Sequence, residues 1–216
     1  SAIDHDAAAG MIVVFGSINL DLVARVPRLP RPGETLSGKS LATLPGGKGA
    51  NQALAARLAG SDVALVGAVG RDAFAGAAQA GLHAAGVELS AIAAVDAPTG
   101  VALIHIDDAG ENAITVIAGA NGAARAAAIT PGQWSRATLL LLQLEVPLAQ
   151  VTEAARAARA RGVRVVLNAA PMQALPTALL DALDVLVVNE IEAATLATQC
   201  GVDAGSDDFA AALSRR

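Results

Sequence analysis

The chain has 216 residues, roughly one and a half domains of ~150 residues each, with 54% hydrophobic and 16% charged residues. That is too apolar for disorder and long enough to bury a sizeable core. Its 15 Lys and Arg against 20 Asp and Glu give a net charge of −5 and only 2% of residues are aromatic, which argues against a nucleic-acid surface built on basic patches and stacking rings.

The first ten residues, SAIDHDAAAG, are small, polar and aperiodic and read as a tail. No basic segment followed by an apolar run and a cleavage site is visible, and the single cysteine, Cys200, cannot close an intramolecular disulfide, so a reducing cytoplasm is the expected location. Cys200, at a helix end, reads as a small buried hydrophobe. Residues 11–18 form an apolar run of strand length that ends in the polar group Asn19, Leu20, Asp21, as expected for a buried parallel strand delivering polar groups at its carboxyl end. Residues 50–59 read as a helix with Leu54 and Leu58 on one face and Gly60 as its stop, followed by a strand at 63–67.

The rhythm continues with a helix at 73–85 before Gly86, then a helix at 148–161 behind Pro147 that stops at Gly162. A strand at 163–167, an apolar strand at 184–188 and a helix at 191–200 before Gly201 complete it. Alternation of this kind predicts a parallel sheet covered on both faces. The longest uncharged stretch, 165–180, contains Asn168, Pro171, Gln173 and Pro176, so no membrane-spanning helix is expected. Two stretches break the rhythm. Residues 22–44 are rich in Pro and Gly, and in residues 98–118 the runs 101–106 and 113–117 flank the turn Asp107, Asp108, Ala109, Gly110. Both predict β-rich excursions, the second a hairpin, forming a small sheet over the carboxyl ends of the main strands.

The densest polar constellation is Gly46, Gly47, Lys48, Gly49, Ala50, Asn51, Gln52, running into a helix. Its glycines permit close backbone approach, and the helix start offers free N–H groups to oxygen-rich or anionic ligands. The spacing is not that of a phosphate loop of the G-x-x-x-x-G-K-[ST] kind, and by itself it could be a plain turn and cap. Asn19 and Asp21 could likewise be turn residues, and Glu145, just before Pro147, could sit in a first helical turn where the dipole favours a carboxylate. Asn189 followed three residues later by Glu192 is the pattern of a capping box. His5, His83 and His105 are scattered and form no zinc motif.

Four segments occur together: Gly16-Ser17-Ile18-Asn19-Leu20-Asp21, Pro45-Gly46-Gly47-Lys48-Gly49-Ala50-Asn51-Gln52-Ala53, Leu142-Gln143-Leu144-Glu145-Val146-Pro147 and Asn189-Glu190-Ile191-Glu192. As a set they resemble the PfkB-type carbohydrate kinase family, over residues 11–216 and in the family's order. The resemblance implies a ribokinase-like α/β fold, a three-layer sandwich with a mostly parallel sheet and a small β lid at about 22–44 and 98–118. It implies ATP-dependent phosphorylation of a sugar's primary hydroxyl, with D-ribose at O5 as the leading expectation.

In that family the positions matching Asn19, Asp21, Gly46, Gly47, Lys48, Asn51 and Glu145 surround the sugar. Asn189 would lie near the nucleotide phosphates, and Glu192 would order water on Mg²⁺. A K⁺ site and a homodimer formed through the lids are also implied, with neither nucleic acid nor membrane as partner.

The chain departs from the family in lacking a Gly-Ala-Gly-Asp quartet. Ala59-Gly60-Ser61-Asp62 and Ala204-Gly205-Ser206-Asp207 are superficial echoes. The family's catalytic base lies in that quartet, so no catalytic residue is assigned here and the base is expected beyond Arg216. The chain therefore reads as truncated before the nucleotide-binding part, ending at Ser214-Arg215-Arg216 near a helix, and as inactive alone. Asn168-Ala169-Ala170-Pro171 also differs from the family's Asn-Pro-Ala-Pro, which puts the local turn in doubt. Rival readings are a sibling sugar or nucleoside kinase, a sugar-binding fragment without catalysis and, more distantly, a dehydrogenase.

Overall fold

The computed structural model describes residues 10–201. The N-terminal tail with His5, the echo at 204–207 and the expected terminal helix lie outside the described residues. A six-stranded parallel sheet has the order β10-β9-β8-β1-β4-β5, built from β1 (Met11–Phe15), β4 (Val63–Gly70), β5 (Glu88–Val95), β8 (Ala137–Leu142), β9 (Arg164–Asn168) and β10 (Val185–Val187). A second, four-stranded sheet has the order β3-β2-β6-β7, from β2 (Asn19–Arg25), β3 (Ser40–Gly46), β6 (Gly100–Ile106) and β7 (Asn112–Ile117).

The helices are α1 (Lys48–Leu58), α2 (Ala73–Ala85), α3 (Pro131–Arg136), α4 (Leu148–Arg159), α5 (Thr177–Leu180) and α6 (Glu190–Cys200). They cover both faces of the main sheet, because parallel strands joined by crossovers are apolar on both sides. One core cluster gathers Val13, Phe15, Leu140 and Leu142 with Val151 and Ala155 of α4. The other gathers Val14, Leu65 and Val69 with Ala53 of α1 and Leu82 of α2. None of the described helices is long and apolar enough to cross a membrane.

Several expectations need correction. The run 11–18 is one strand only to Phe15; Gly16, Ser17 and Ile18 carry the chain out of the main sheet, and β2 then opens the small one. Strand β4 runs on to Gly70, because Gly67 is a site of close packing and not a stop: a Cβ there would lie 2.6 Å from the Gly16 carbonyl oxygen. Leu58 is 75% exposed, and α1 instead buries Gly49, Ala50 and Ala53. The reason is proximity, since a Cβ on Gly49 would lie 2.6 Å from backbone atoms of Gly16 and Ser17; only a small-residue face fits so near β1. Cys200 is half-buried and packs against the edge of the first core cluster. Strands β5 and β8 had no counterpart among the expected elements.

The helix stops are as expected, with Gly86 and Gly201 both in the left-handed region that ends helices. In the hairpin between β6 and β7, Asp107 Oδ1 accepts from the N–H groups of Ala109 (2.9 Å) and Glu111 (3.0 Å), an Asx turn. Lys39, in the loop between β2 and β3, binds Asp108 at 2.6 Å and ties that loop to the hairpin. The doubtful turn after β9 is held from both sides, as Ala169 N–H donates to Val187 O and Leu144 N–H donates to Ala170 O, each at 3.0 Å.

Candidate sugar-binding site

The joint between the two sheets places the polar residues. Strand β2 pairs with β3 and β6 so that Asn19 stands opposite both Gly46 and Gly100. Side chains of one strand alternate between faces, so Asn19 and Asp21 point to the same side as Ala102 and Ile104 of β6. A cleft of about 720 Å³ opens there, between the small sheet, the start of α1 and the loop before α4, which is a size suited to a small molecule. Asn19, Asp21, Gly47, Lys48, Asn51 and Glu145 all line it. Gly46 lies beneath, where a Cβ would overlap the Asp21 carboxylate.

The start of α1 explains why Glu145 is there. Its cap residue, Gly47, has φ 91 and no side chain with which to cap, so the orphan N–H groups of the first turn need other acceptors. Lys48 N–H donates to Glu145 Oε2 (2.9 Å), Gly49 N–H to Ser17 Oγ (3.2 Å) and Ala50 N–H to Ser17 O (2.9 Å). Ser17 Oγ in turn donates to Glu145 Oε2 at 2.6 Å. Glu145 therefore meets a helix dipole, but that of α1, far away in sequence, and not that of the following α4. One carboxylate oxygen is engaged by the protein, which leaves the other for the cleft.

Asp21 has its pKa raised, first by burial and second by the nearby charge of Glu145. Lys48 lines the cleft and makes no ion pair among the described residues, so its ammonium is available as a donor to a ligand there. Two acceptors, a cation and two amides over an apolar wall of Ala102, Ile104, Ile114 and Val116 suit a polyol, whose hydroxyls need both donors and acceptors.

Asn189 and Glu192 lie apart from this group. They form the reciprocal capping box of α6: Glu192 N–H donates to Asn189 Oδ1 and Asn189 N–H to Glu192 Oε2, each at 2.8 Å. No three His, Cys, Asp or Glu side chains cluster as metal ligands among the described residues. Sequence reasoning missed Ser17 and Asn121. Asn121, in the 3₁₀ turn Gly119–Ala123, is 1% exposed and bonds Ile18 and Asn19; its only signal was being an amide alone in a run of Ala and Gly. Also unforeseen was Asp72, which caps α2 and accepts from Thr99 N–H (2.8 Å) and Thr99 Oγ (2.7 Å) at the root of the small sheet.

The chain is 39% identical over 188 residues to a ribokinase of Haemophilus influenzae, covering 86% of this chain and 61% of that one. It is 39% identical over 213 residues to a ribokinase of Schizosaccharomyces pombe, covering 94% of this chain and 67% of that one. The structure of Arabidopsis thaliana ribokinase complexed with ribose and ATP superposes with a TM-score of 0.83 at 32% identity, covering 96% of this chain and 68% of that one. The chain thus spans about three fifths to two thirds of the length of these relatives. Residues 9–215 match the model of the pfkB family carbohydrate kinases, and the chain belongs to that family.

Proposed function

We propose that these 216 residues carry the sugar site and lid of an ATP-dependent kinase that phosphorylates the primary hydroxyl of D-ribose at O5. Residues 11–216 are taken as one α/β unit whose lid comprises β2, β3, β6 and β7. The observation that carries this reading is the convergence of Asn19, Asp21, Lys48, Asn51 and Glu145 on one cleft beneath the small sheet. In this reading Asp21 and the free oxygen of Glu145 accept from sugar hydroxyls, while Lys48 and Asn51 donate. Loss of one charged partner costs about 1.5 to 3 kcal/mol, roughly ten- to a hundredfold in affinity. The lid excludes water, so that the phosphoryl group is not lost to hydrolysis.

Asn189 and Glu192 are the residues proposed to face the nucleotide and its Mg²⁺. The first turn of α6 holds Glu190 and Glu192, a donor set that fits a hydrated cation better than bare phosphate. When bound, that ion would neutralise charge on the phosphoryl oxygens. The cleft face of the lid leaves Leu44, Ile114 and Val116 each more than half exposed. We propose that a second lid covers them in a homodimer, and Ile114→Glu should then shift the mass in light scattering to that of one chain.

Calorimetry with ribose, fructose and adenosine, followed by kinetics on the complete enzyme with Mg²⁺ and K⁺ varied, tests the reading. A higher kcat/KM for fructose or adenosine would assign it to a sibling kinase. The 216-residue polypeptide, lacking the Gly-Ala-Gly-Asp quartet, is expected to show no turnover, since general-base assistance alone is worth about 10² to 10⁴ in rate. Turnover within about tenfold of the complete enzyme would mean that the base lies elsewhere.

A further inference from the structure

Asn121 and Asn19 are both buried, at 1% and 3% exposure, and their amides meet at the joint between core and lid. The direction of each can be read from one fixed donor. Ile18 N–H can only donate, and it lies 2.9 Å from Asn121 Oδ1. The other end of that amide is therefore the NH₂ group. Asn121 Nδ2 donates to Ile18 O at 3.2 Å and to the Asn19 amide at 2.7 Å. A group that only donates requires an acceptor, so Asn19 presents Oδ1 to Asn121. The Asn19 NH₂ is left without a protein partner and faces the cleft that Asn19 lines.

We propose that Asn121 is a positioning residue that locks the Asn19 amide with its NH₂ toward the ligand, so that the cleft offers a donor there and rejects a ligand presenting only a donor at that point. The inference rests on the sugar-binding reading above. It assigns a division of labour in which Asp21 and Glu145 accept sugar protons while Asn19 serves a ligand oxygen that accepts. The lock spans two roots of the small sheet: Asn121 follows β7, and its turn is tied to the root before β6 by Ala120 N–H donating to Pro98 O at 2.7 Å. Asn19 can hold this orientation only while that turn is seated. A Cβ on Gly100, opposite Asn19, would overlap both amides, so this pairing also accounts for a glycine at that position.

The test compares Asn121→Asp with Asn121→Ala in the complete protein. In Asn121→Asp one oxygen still accepts from Ile18 N–H and the other replaces a donor with an acceptor, so Asn19 must turn its NH₂ inward. In Asn121→Ala the amide is free to take either direction. Ribose binding by calorimetry should fall about tenfold or more in Asn121→Asp and less in Asn121→Ala, and neither should change it more than about twofold in an Asn19→Ala background. Equal losses in both backgrounds would overturn the proposal, since that is how a merely structural residue behaves.

Side-chain amide signals of the wild-type protein in NMR give a readout that needs neither variant nor activity. The Asn121 NH₂ should be protected from exchange and the Asn19 NH₂ should exchange freely and shift on adding ribose. A protected Asn19 NH₂ overturns the proposal. Absence of any sugar response, with Asn121 protected and Asn19 exchanging, would instead overturn the sugar reading and leave the lock intact.

Discussion

Replacing Glu145 by Ala tests whether the start of α1 is held by a carboxylate from another part of the chain. The substitution removes the acceptor of two bonds, from Ser17 Oγ at 2.6 Å and from Lys48 N–H at 2.9 Å. Ser17 is fully buried, and its hydroxyl has no other acceptor. A buried polar group left without a partner costs about 1–3 kcal/mol, whereas Lys48 borders the cleft and water can replace part of its bond. A total near 2–4 kcal/mol follows, to which loss of the charge at a helix N-terminus contributes about 0.3–1 kcal/mol. In a protein of this size each kcal/mol moves the melting temperature by about 2–4 °C, so a fall of roughly 5–15 °C is expected by calorimetry. Glu145→Gln keeps an oxygen acceptor and loses only the charge, so its loss should be a fraction of that. A Glu145→Ala protein melting within about 1 °C of wild type would show that the bond accounting at this helix start is wrong.

Other substitutions probe the same joint. Gly47→Ala must place a side chain at φ 91 with its Cβ 2.8 Å from Asn19 N and 2.9 Å from Ser17 O; a strain of about 1–3 kcal/mol should appear as a lower denaturant midpoint and weaker sugar binding, and an unchanged midpoint would refute the steric reading. Asp21→Asn should raise stability at neutral pH while reducing sugar affinity. The folded pKa of Asp21 lies above its ordinary value through burial and Glu145, so its ionisation destabilises as pH rises through that pKa, and the gain should vanish below the ordinary value of 3.8. Asp72 is the opposite case: Thr99 N–H and hydroxyl first, and the α2 N–H groups after them, lower its pKa. Its stabilisation is present above the ordinary Asp pKa and lost as pH falls through the lowered one, so melting curves of wild type and Asp72→Asn should converge on acidification.

Much of this architecture was legible because its signals are local. Apolar runs of strand length, alanine-rich helices and glycines at their ends marked the parallel sheet, and Asp107 with Gly110 marked the lid hairpin. The glycine-rich loop with Asn19, Asp21 and Glu145 marked the cleft. What the sequence hid was determined by partners far along the chain. The inward face of α1 could not be read from leucine periodicity, since contact with Gly16 selects the small residues and turns Leu58 outward. Gly67 looked like a strand end, although it lies inside β4, where the Gly16 carbonyl leaves no room for a side chain. Glu145 reads locally as the start of α4, and only the fold brings it to α1, where Gly47 leaves N–H groups uncapped. Asn121 has no motif at all; its role exists only through Ile18 and Asn19, more than a hundred residues away.

These hidden contacts share a location, and the location has a mechanical consequence. Ser17, Asn19, Thr99 and Asn121, all buried, lie where the lid leaves the core. Their partners cross that boundary: Asn121 holds Ile18 and Asn19, Asp72 of the core holds Thr99, and Thr99 Oγ accepts from Gly70 N–H at 2.9 Å. An apolar joint would let the lid slide over a range of angles at small cost, because dispersion has little directionality. A buried hydrogen-bonded joint has sharp angular preferences and a steep cost for each bond left unmade. The small sheet should therefore be held near one angle, with a steep cost for any tilt that leaves these bonds unmade. Because Asn19 belongs both to that joint and to the cleft, the setting of the lid and the orientation of a ligand-facing amide are fixed by the same bonds.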